Sequence, residues 1–237
     1  MTIMAFNLIL VAGPLVGASS WAAAAEKLRN LGVDVQVPDV LMAAGEIPPW
    51  HAWPSHVTSQ IRVDKRSVFV GHSSASTVVV DLAARLPCRG LVIVDGEVPP
   101  AHGPVFPVRE SLREFIRTLD DGSGTLPSWP NWWKGNPRAA LIGVDTLAAI
   151  PAEWTIFERD APRMRVDWFD DTIELARWDG VPAAFIQTSP IYQLSADEAD
   201  RRGWPVVRLG GTHLHPTLEP DETAAAILRI CGQLRWP

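Results

Sequence analysis

Three side chains in this sequence can be combined into an activated nucleophile: a serine in a tight turn, a histidine near the end of the chain, and a carboxylate at a strand end. The serine is Ser73, in Gly71-His72-Ser73-Ser74-Ala75. The apolar run Ser67-Val68-Phe69-Val70 ends directly before it, and a helix-forming run from Ser76 to Leu86 follows. Strand, tight turn with a central Ser, then helix is the context that presents a hydroxyl at the carboxyl end of a strand. Strand and helix pass close there, so the flanking residues must be small. Gly71 meets that demand, and Ala75 meets it slightly less well than Gly would. The helix start brings free N–H groups and partial positive charge near the hydroxyl, which makes the Ser74 N–H a donor for an oxyanion. The plain alternative is an ordinary strand-to-helix turn.

A serine nucleophile needs a base. The six histidines are at 51, 56, 72, 102, 213 and 215. His213 follows Gly210-Gly211-Thr212, just after the last strand-like run and before the final helix. A base there lies on a loop at the carboxyl edge of a parallel sheet, the edge that also carries the serine turn. His215 is the second choice. A metal reading of the 213/215 pair lacks a third ligand, so no metal is expected. His72 is read as packing, His51 and His56 as loop residues, and His102 as a lid residue that touches substrate.

The base in turn needs a carboxylate to fix its tautomer and stabilise its charged form. The run Val181–Gln187 ends in Thr188-Ser189-Pro190-Ile191-Tyr192, with no acid. The run Gly90–Val94 ends in Asp95-Gly96-Glu97-Val98-Pro99. Strand alternation puts Asp95 and Glu97 on one side if the strand continues, and Gly96 argues that it breaks. Glu97 is the first choice for the triad acid, then Asp95, then Asp197 or Glu198. The bland reading is that these acids cap a helix or are solvated.

The elements that must position these groups alternate. Apolar runs at 6–11, 33–37, 67–70, 90–94, 181–187 and 205–209 alternate with helical runs at 21–31, 55–63, 76–86 and 221–234, which predicts a mostly parallel, doubly wound α/β sheet. Residues 98–177 break the pattern with helical stretches at 109–119, 138–150, 151–159 and 168–177 and no clear strand. They are expected to form a helical lid, inserted in a core made of 1–97 and 178–237. At 237 residues and 47% hydrophobic content, the chain has enough material for one sizeable core. A net charge of −6 with no Lys/Arg run argues against nucleic acid. Cys88 and Cys231, without a Cys/His cluster, imply a reducing compartment and no disulfide framework. The apolar stretch from Ile3 to Ala25 has no Lys or Arg before it and is interrupted by Gly13-Pro14. It is therefore read as strand and loop of a cytoplasmic protein, not as a signal or a membrane span.

The serine turn, the Val11-Ala12-Gly13 loop after the first strand and the Gly211-Thr212-His213 tip together resemble the α/β-hydrolase superfamily across nearly the whole chain. The resemblance implies one α/β-hydrolase domain that starts at the family's third strand. An acid after the strand that follows the serine turn resembles the haloalkane dehalogenases and the mycotoxin lactonases that open zearalenone. Ser73 to Val79 with Glu97-Val98-Pro99 looks especially like the lactonases. A dehalogenase would carry Asp at position 73, so that chemistry is excluded. One departure matters: the family's oxyanion loop usually begins His-Gly and takes an N–H from the next residue. Here the sequence reads Ala12-Gly13-Pro14, and Pro14 has no N–H. The second donor must then come from a shifted residue, with Leu15 the candidate, or be absent.

These residues imply a serine hydrolase of a carboxylic ester or lactone working through Ser73, His213 and Glu97, without metal or organic cofactor. Non-hydrolytic chemistry on the same fold, a lyase or cyclase, is the alternative that Pro14 motivates, and an inactive binding protein is a third. The expected partner is a small apolar or aromatic substrate; nucleic acid and membrane are not expected, and a homodimer is compatible with the sequence. Of eleven tryptophans, five (129, 132, 133, 154 and 168) fall in the inserted segment, and Trp50 and Trp53 lie in another loop. Pro and Gly around Trp129, Trp132 and Trp133 place them in a loop, so these three are expected to line a pocket for a bulky apolar substrate. The other reading of the tryptophans is a core of the lid itself.

Overall fold

The apolar runs at residues 7–11, 67–72, 90–94 and 183–187 are buried along their whole length. Strands buried on both faces require helices above and below the sheet. The structure, a computed structural model, describes residues 6–234. The first residues of the N-terminal apolar stretch, 3–5, lie outside the described residues. The first half of the chain runs β1 (Asn7–Val11), α1 (Ala22–Asn30), β2 (Asp34–Gln36), α2 (Val40–Ala44), α3 (Trp53–Thr58), β3 (Ser67–His72), α4 (Ala75–Arg85) and β4 (Gly90–Val94). An excursion follows with β5 (Gly103–Val105), α5 (Glu110–Arg117), α6 (Ala139–Ile142), α7 (Val144–Ala148), α8 (Pro151–Asp160) and β6 (Ile173–Leu175). The chain then returns through β7 (Ala183–Gln187), α9 (Gln193–Arg201), β8 (Val206–Arg208), α10 (His215–Leu218) and α11 (Pro220–Cys231).

The main sheet is six-stranded, in the order β2-β1-β3-β4-β7-β8, and every pairing is parallel. The order reverses direction at β1. Right-handed crossovers then place α1 on one face and α3 and α4 on the other. Accordingly α1 packs with α10 and α11, and α3 packs with α4. The crevice where the order reverses lies between the carboxyl ends of β1 and β3, the usual ligand position in open α/β sheets. The doubly wound parallel sheet expected from the sequence is what forms. Among the described residues, no helix is long and apolar enough to cross a membrane.

The excursion differs from the all-helical expectation. β5 and β6 form a two-stranded antiparallel sheet, with Gly103 opposite Leu175 and Val105 opposite Ile173. The helix expected over 168–177 is instead a 3-10 turn at Val166–Asp170 followed by β6. Ile173-Glu174-Leu175 alternates buried, exposed, buried, which is strand periodicity, but three residues are too few to distinguish it from helix by pattern. The stretch 138–150 splits into α6 and α7 at Gly143, whose φ is +94°.

Two glycines let the carboxyl edge of the sheet close up around Ser73. A Cβ on Gly71 would meet the Ala75 carbonyl oxygen at 2.6 Å, and one on Gly96 would meet the Ser73 carbonyl oxygen at 2.5 Å. Both neighbours are backbone and cannot swing away. Gly96→Ala is therefore expected to destabilise the protein by about 1–3 kcal/mol through overpacking. The check is urea unfolding with an unchanged m-value; a midpoint equal to that of the parent protein would contradict the close packing of the β3 and β4 ends.

Candidate active site

β3 ends at His72, and Ser73 then adopts φ +58°, while α4 begins at Ala75. A left-handed backbone at a non-glycine residue is strained. It persists because neighbouring bonds fix the turn: the Ser73 N–H donates to the Val94 carbonyl at 3.0 Å and the Ser76 N–H to the Ser73 carbonyl at 3.0 Å. Among the described residues, only Asp95, with φ +43°, shares this conformation without being glycine. It sits at the end of the adjacent strand β4.

The Ser73 hydroxyl donates to His213 Nε2 at 3.1 Å. On the other side of the ring, His213 Nδ1–H donates to Asp95 Oδ2 at 2.8 Å. The carboxylate against His213 is thus Asp95 and not Glu97. β4 ends at Val94, and the left-handed turn at Asp95 ends the strand alternation that would have grouped the two carboxylates. The Asp95 carboxylate is fully buried, whereas the Glu97 side chain is 46% exposed. Glu97 instead faces Arg109 Nη1 and accepts from Ser195 Oγ, each at 3.4 Å. Asp197 and Glu198 lie on α9 in ion pairs, Asp197 with Arg208 and Glu198 with Arg202 and Arg201.

The donors around Asp95 come from the strand end that carries no acid. Thr188 N–H and Ser189 N–H each donate to Asp95 Oδ1 at 2.9 Å, and Ser189 Oγ–H donates to Oδ2 at 2.6 Å. Burial pushes the Asp95 carboxyl up, but the hydrogen bonds and charge of His213 and the bonds from Ser189 outweigh it. They hold the group below the usual carboxylate range. Thr188 and Ser189 were not recognisable from the sequence as part of the site. The available signal was a buried strand ending in Thr-Ser beside a strand ending in Asp.

The loop that carries His213 is fastened on both sides. The His213 and Leu214 N–H groups donate to Leu141 and Ile142 carbonyls at 3.1 and 2.9 Å, so the excursion holds the loop. From the sheet, His72 Nε2 lies 2.9 Å from the His213 carbonyl oxygen, and its ring centroid is 4.6 Å from that of His213. Burial, followed by the nearby His213 charge, lowers the His72 pKa to about 3, so its ring stays neutral and donates Nε2–H to that carbonyl. His72 thus does more than fill space. His215 is buried away from Ser73, with Nε2 3.1 Å from Glu222. Among the described residues no group of three or more His, Cys, Asp or Glu is placed to hold a metal ion.

Ser73 opens into a cavity of about 710 Å³. Leu15, Ser74, Trp129 and Trp133 line it, as does Tyr192. The Tyr192 ring stacks on His213 at 5.4 Å and 29°, and the Arg109 guanidinium lies over the Tyr192 ring at 5.9 Å from its centroid. Burial, then the charges of Glu97 and Asp95, pushes the phenol well above its ordinary pKa. Trp132 is not in the cavity wall: its Nε1–H donates to the Pro127 carbonyl at 2.7 Å and its ring packs edge-on against Phe169. His102 is exposed and also outside the wall. Trp50, Trp53 and Trp168 pack edge-to-face or tilted against one another, the core arrangement for these three. Gly13 lies against the serine turn, where a Cβ would come 3.5 Å from Ser73 Cβ. The N–H groups of Leu15 and Ser74 take part in no backbone hydrogen bond among the described residues.

A sequence profile of the alpha/beta hydrolase family matches residues 8–226. The chain belongs to the α/β-hydrolase family. No curated protein matches it in sequence. Solved structures of similar fold include an extracellular α/β-hydrolase from a Paenibacillus species, with a TM-score of 0.73 at 18% identity over 95% of this chain and 98% of that one. A pyrethroid hydrolase from Sphingobium faniae gives 0.66 at 17% identity, covering 96% of this chain and 97% of that one. Tomato methylketone synthase I complexed with 2-tridecanone gives 0.70 at 16%, covering 97% and 99%. At these identities the likeness establishes the fold, and this α/β-hydrolase's chemistry must be read from its own site.

Two outcomes follow from the site geometry. Asp95→Asn should lower kcat by about 10⁴-fold, because the wrong imidazole tautomer is favoured and the imidazolium loses its counter-charge. Glu97→Gln should stay within a few-fold of the parent protein on the same substrate. The reverse ranking would restore Glu97 as the acid. For pH, the folded His72 pKa near 3 lies below the unfolded value of about 6.5. The unfolded chain then binds more protons between those values, so stability falls as pH falls through that window, by on the order of 1 kcal/mol per pH unit. His72→Gln keeps a donor without the titration and should show a flatter dependence in urea unfolding at pH 7 and pH 5.

Proposed function

We propose that this α/β-hydrolase cleaves carboxylic esters or lactones of bulky apolar compounds through a covalent acyl-enzyme. The observation that carries the reading is the unbroken relay from Ser73 through His213 to the buried Asp95, opening into a large cavity. In this reading Ser73 Oγ attacks the carbonyl carbon while His213 Nε2 takes its proton. The tetrahedral oxyanion accepts the N–H groups of Ser74 and Leu15, and the C–O bond to the alcohol breaks as His213 returns the proton to the leaving oxygen. A water molecule, deprotonated by His213, then hydrolyses the acyl-enzyme and frees Ser73. Asp95 stays ionised throughout and balances the imidazolium. Pro14 removes the N–H that the family usually offers at that place, which makes Leu15 the second donor.

The apolar preference rests on the cavity wall, which includes Val98, Leu112, Trp129, Trp133, Ile142 and Ile191. Residues 98–177, read as a lid, supply most of these. Large flat side chains give much contact area at low conformational cost.

The nucleophile is tested with a fluorophosphonate probe. The parent protein should be labelled at Ser73, and Ser73→Ala should lose the label while unfolding at the same denaturant concentration. Labelling without turnover on any ester, lactone or thioester panel would favour the lyase or cyclase alternative, and no labelling at all would favour a binding protein. For the substrate, Trp133→Ala should raise KM for a large aromatic ester about 10-fold and leave an acetyl ester nearly unchanged. Equal effects on both would assign Trp133 to the core alone.

A further inference from the structure

The wall of the Ser73 cavity carries more donors than acceptors, although the chain as a whole has a net charge of −6. Among the described residues, three arginines line it, Arg109, Arg113 and Arg138, against two carboxylates, Glu97 and Glu110. Arg109 pairs with Glu97 at 3.4 Å. Arg113 pairs with Glu110, which it shares with Arg117, and lies 3.8 Å from Asp170. The Arg138 side chain has no ion pair and no hydrogen bond among the described residues. Two further donors of the wall, Arg113 Nε and Trp133 Nε1, are buried without a hydrogen-bond partner. Such orphan donors are rare in folded proteins.

Arg138 is exposed at this wall, so a ligand meets it without any carboxylate having to be displaced. Its backbone is fixed. The Arg138 N–H donates to Asn136 Oδ1 at 2.9 Å, and its carbonyl accepts from the Ile142 N–H at 3.0 Å. The same short helix, α6, holds the His213 loop through the Leu141 and Ile142 carbonyls. The root of the guanidinium is thus set relative to Ser73, while its tip is left for a partner. A guanidinium stays charged at working pH and presents a planar fork of donors that matches a carboxylate. We propose that Arg138 determines specificity by holding an anionic group of the substrate. This rests on the serine-hydrolase reading above for the reacting carbonyl, though not for the anion site itself. The carbonyl under attack sits at Ser73, so the anion is a second group, separated from it by the apolar body that packs on Trp129 and Trp133. The substrate class is therefore an ester or lactone with an apolar body and a free carboxylate. Glu97 and Glu110 do not repel it, because arginines already neutralise both.

The test compares three chromogenic esters, each rate divided by the spontaneous one. p-Nitrophenyl octanoate is the neutral reference. The octanoate of a hydroxynitrobenzoic acid adds a carboxylate to the alcohol half, and p-nitrophenyl hydrogen suberate adds one to the acyl half. At least one anionic ester should exceed the reference in kcat/KM by about 3- to 10-fold, between an exposed ion pair and a charged hydrogen bond. The gain should lie mainly in KM and shrink as ionic strength rises. Arg138→Gln should bring the ratio to about one, Arg138→Glu should bring it below one, and Arg138→Lys should keep part of it. No preference for either anionic ester, or a preference that persists in Arg138→Gln, would overturn the proposal. If the parent protein hydrolyses none of the three, the serine-hydrolase reading fails, and binding decides the anion site separately. In Ser73→Ala, a tryptophan-fluorescence titration should show phenylvalerate bound more tightly than its neutral amide, and adding Arg138→Gln should abolish the difference. Equal binding of acid and amide would overturn the anion site whatever the chemistry at Ser73.

Discussion

A carboxylate with no contact with solvent must be satisfied by donors on every side, and the catalytic edge of this protein is built around that demand at Asp95. Burying an ionised group without partners costs several kcal/mol. Asp95 has four donors, from Thr188, from the backbone and hydroxyl of Ser189, and from His213. These tie the end of β4 to the end of β7 and to the loop before α10, so three segments distant in sequence are fixed relative to one another. The His213 ring can then face Ser73 in one orientation only. The neutral His72 completes the arrangement. Its ring lies 4.6 Å from that of His213. Because burial keeps it uncharged, it does not oppose the positive charge that the proposed mechanism places on His213.

The same edge concentrates backbone strain. Ser73 and Asp95 both hold positive φ, at a cost of about 1–3 kcal/mol each. Such strain survives only where the surroundings over-determine it. Here they do: β3 and β4 are buried along their length, and the Ser73 N–H is bonded to the β4 carbonyl of Val94. Gly96, tucked against the Ser73 carbonyl, allows the two strained turns to lie side by side. Ser73 and Asp95 are therefore set by one packed unit, and His213 is brought to them by a loop that the excursion holds.

The serine turn and the base were legible because their signals are local: small residues around Ser73 between a strand and a helix, and a histidine in a glycine loop after the last strand. The parallel sheet was legible because its central strands are long apolar runs. The acid was not. Glu97 as first choice rests on how the chain continues past Val94, where it leaves the strand, and Asp is one of the residues that tolerates the left-handed turn taken there. The decisive partners, Thr188 and Ser189, lie more than ninety positions away, so no local pattern links them to Asp95. Trp132 shows the same limit on a smaller scale. Its proximity to Trp129 and Trp133 marks apolar surface, but which way it turns depends on the Pro127 carbonyl and on Phe169. The β5–β6 pair escaped notice because its strands are three residues each.

The bond on which this arrangement depends is the one between His213 Nδ1–H and Asp95, and proton NMR observes it directly. A hydrogen bond from imidazole to a buried carboxylate moves the ring proton far downfield of the backbone amides. With ¹⁵N-labelled histidine, one such resonance should be present in the parent protein and in Glu97→Gln, and absent in Asp95→Asn at the same pH and temperature. A downfield imidazole proton that survives Asp95→Asn and disappears in Glu97→Gln would contradict the central role given to Asp95.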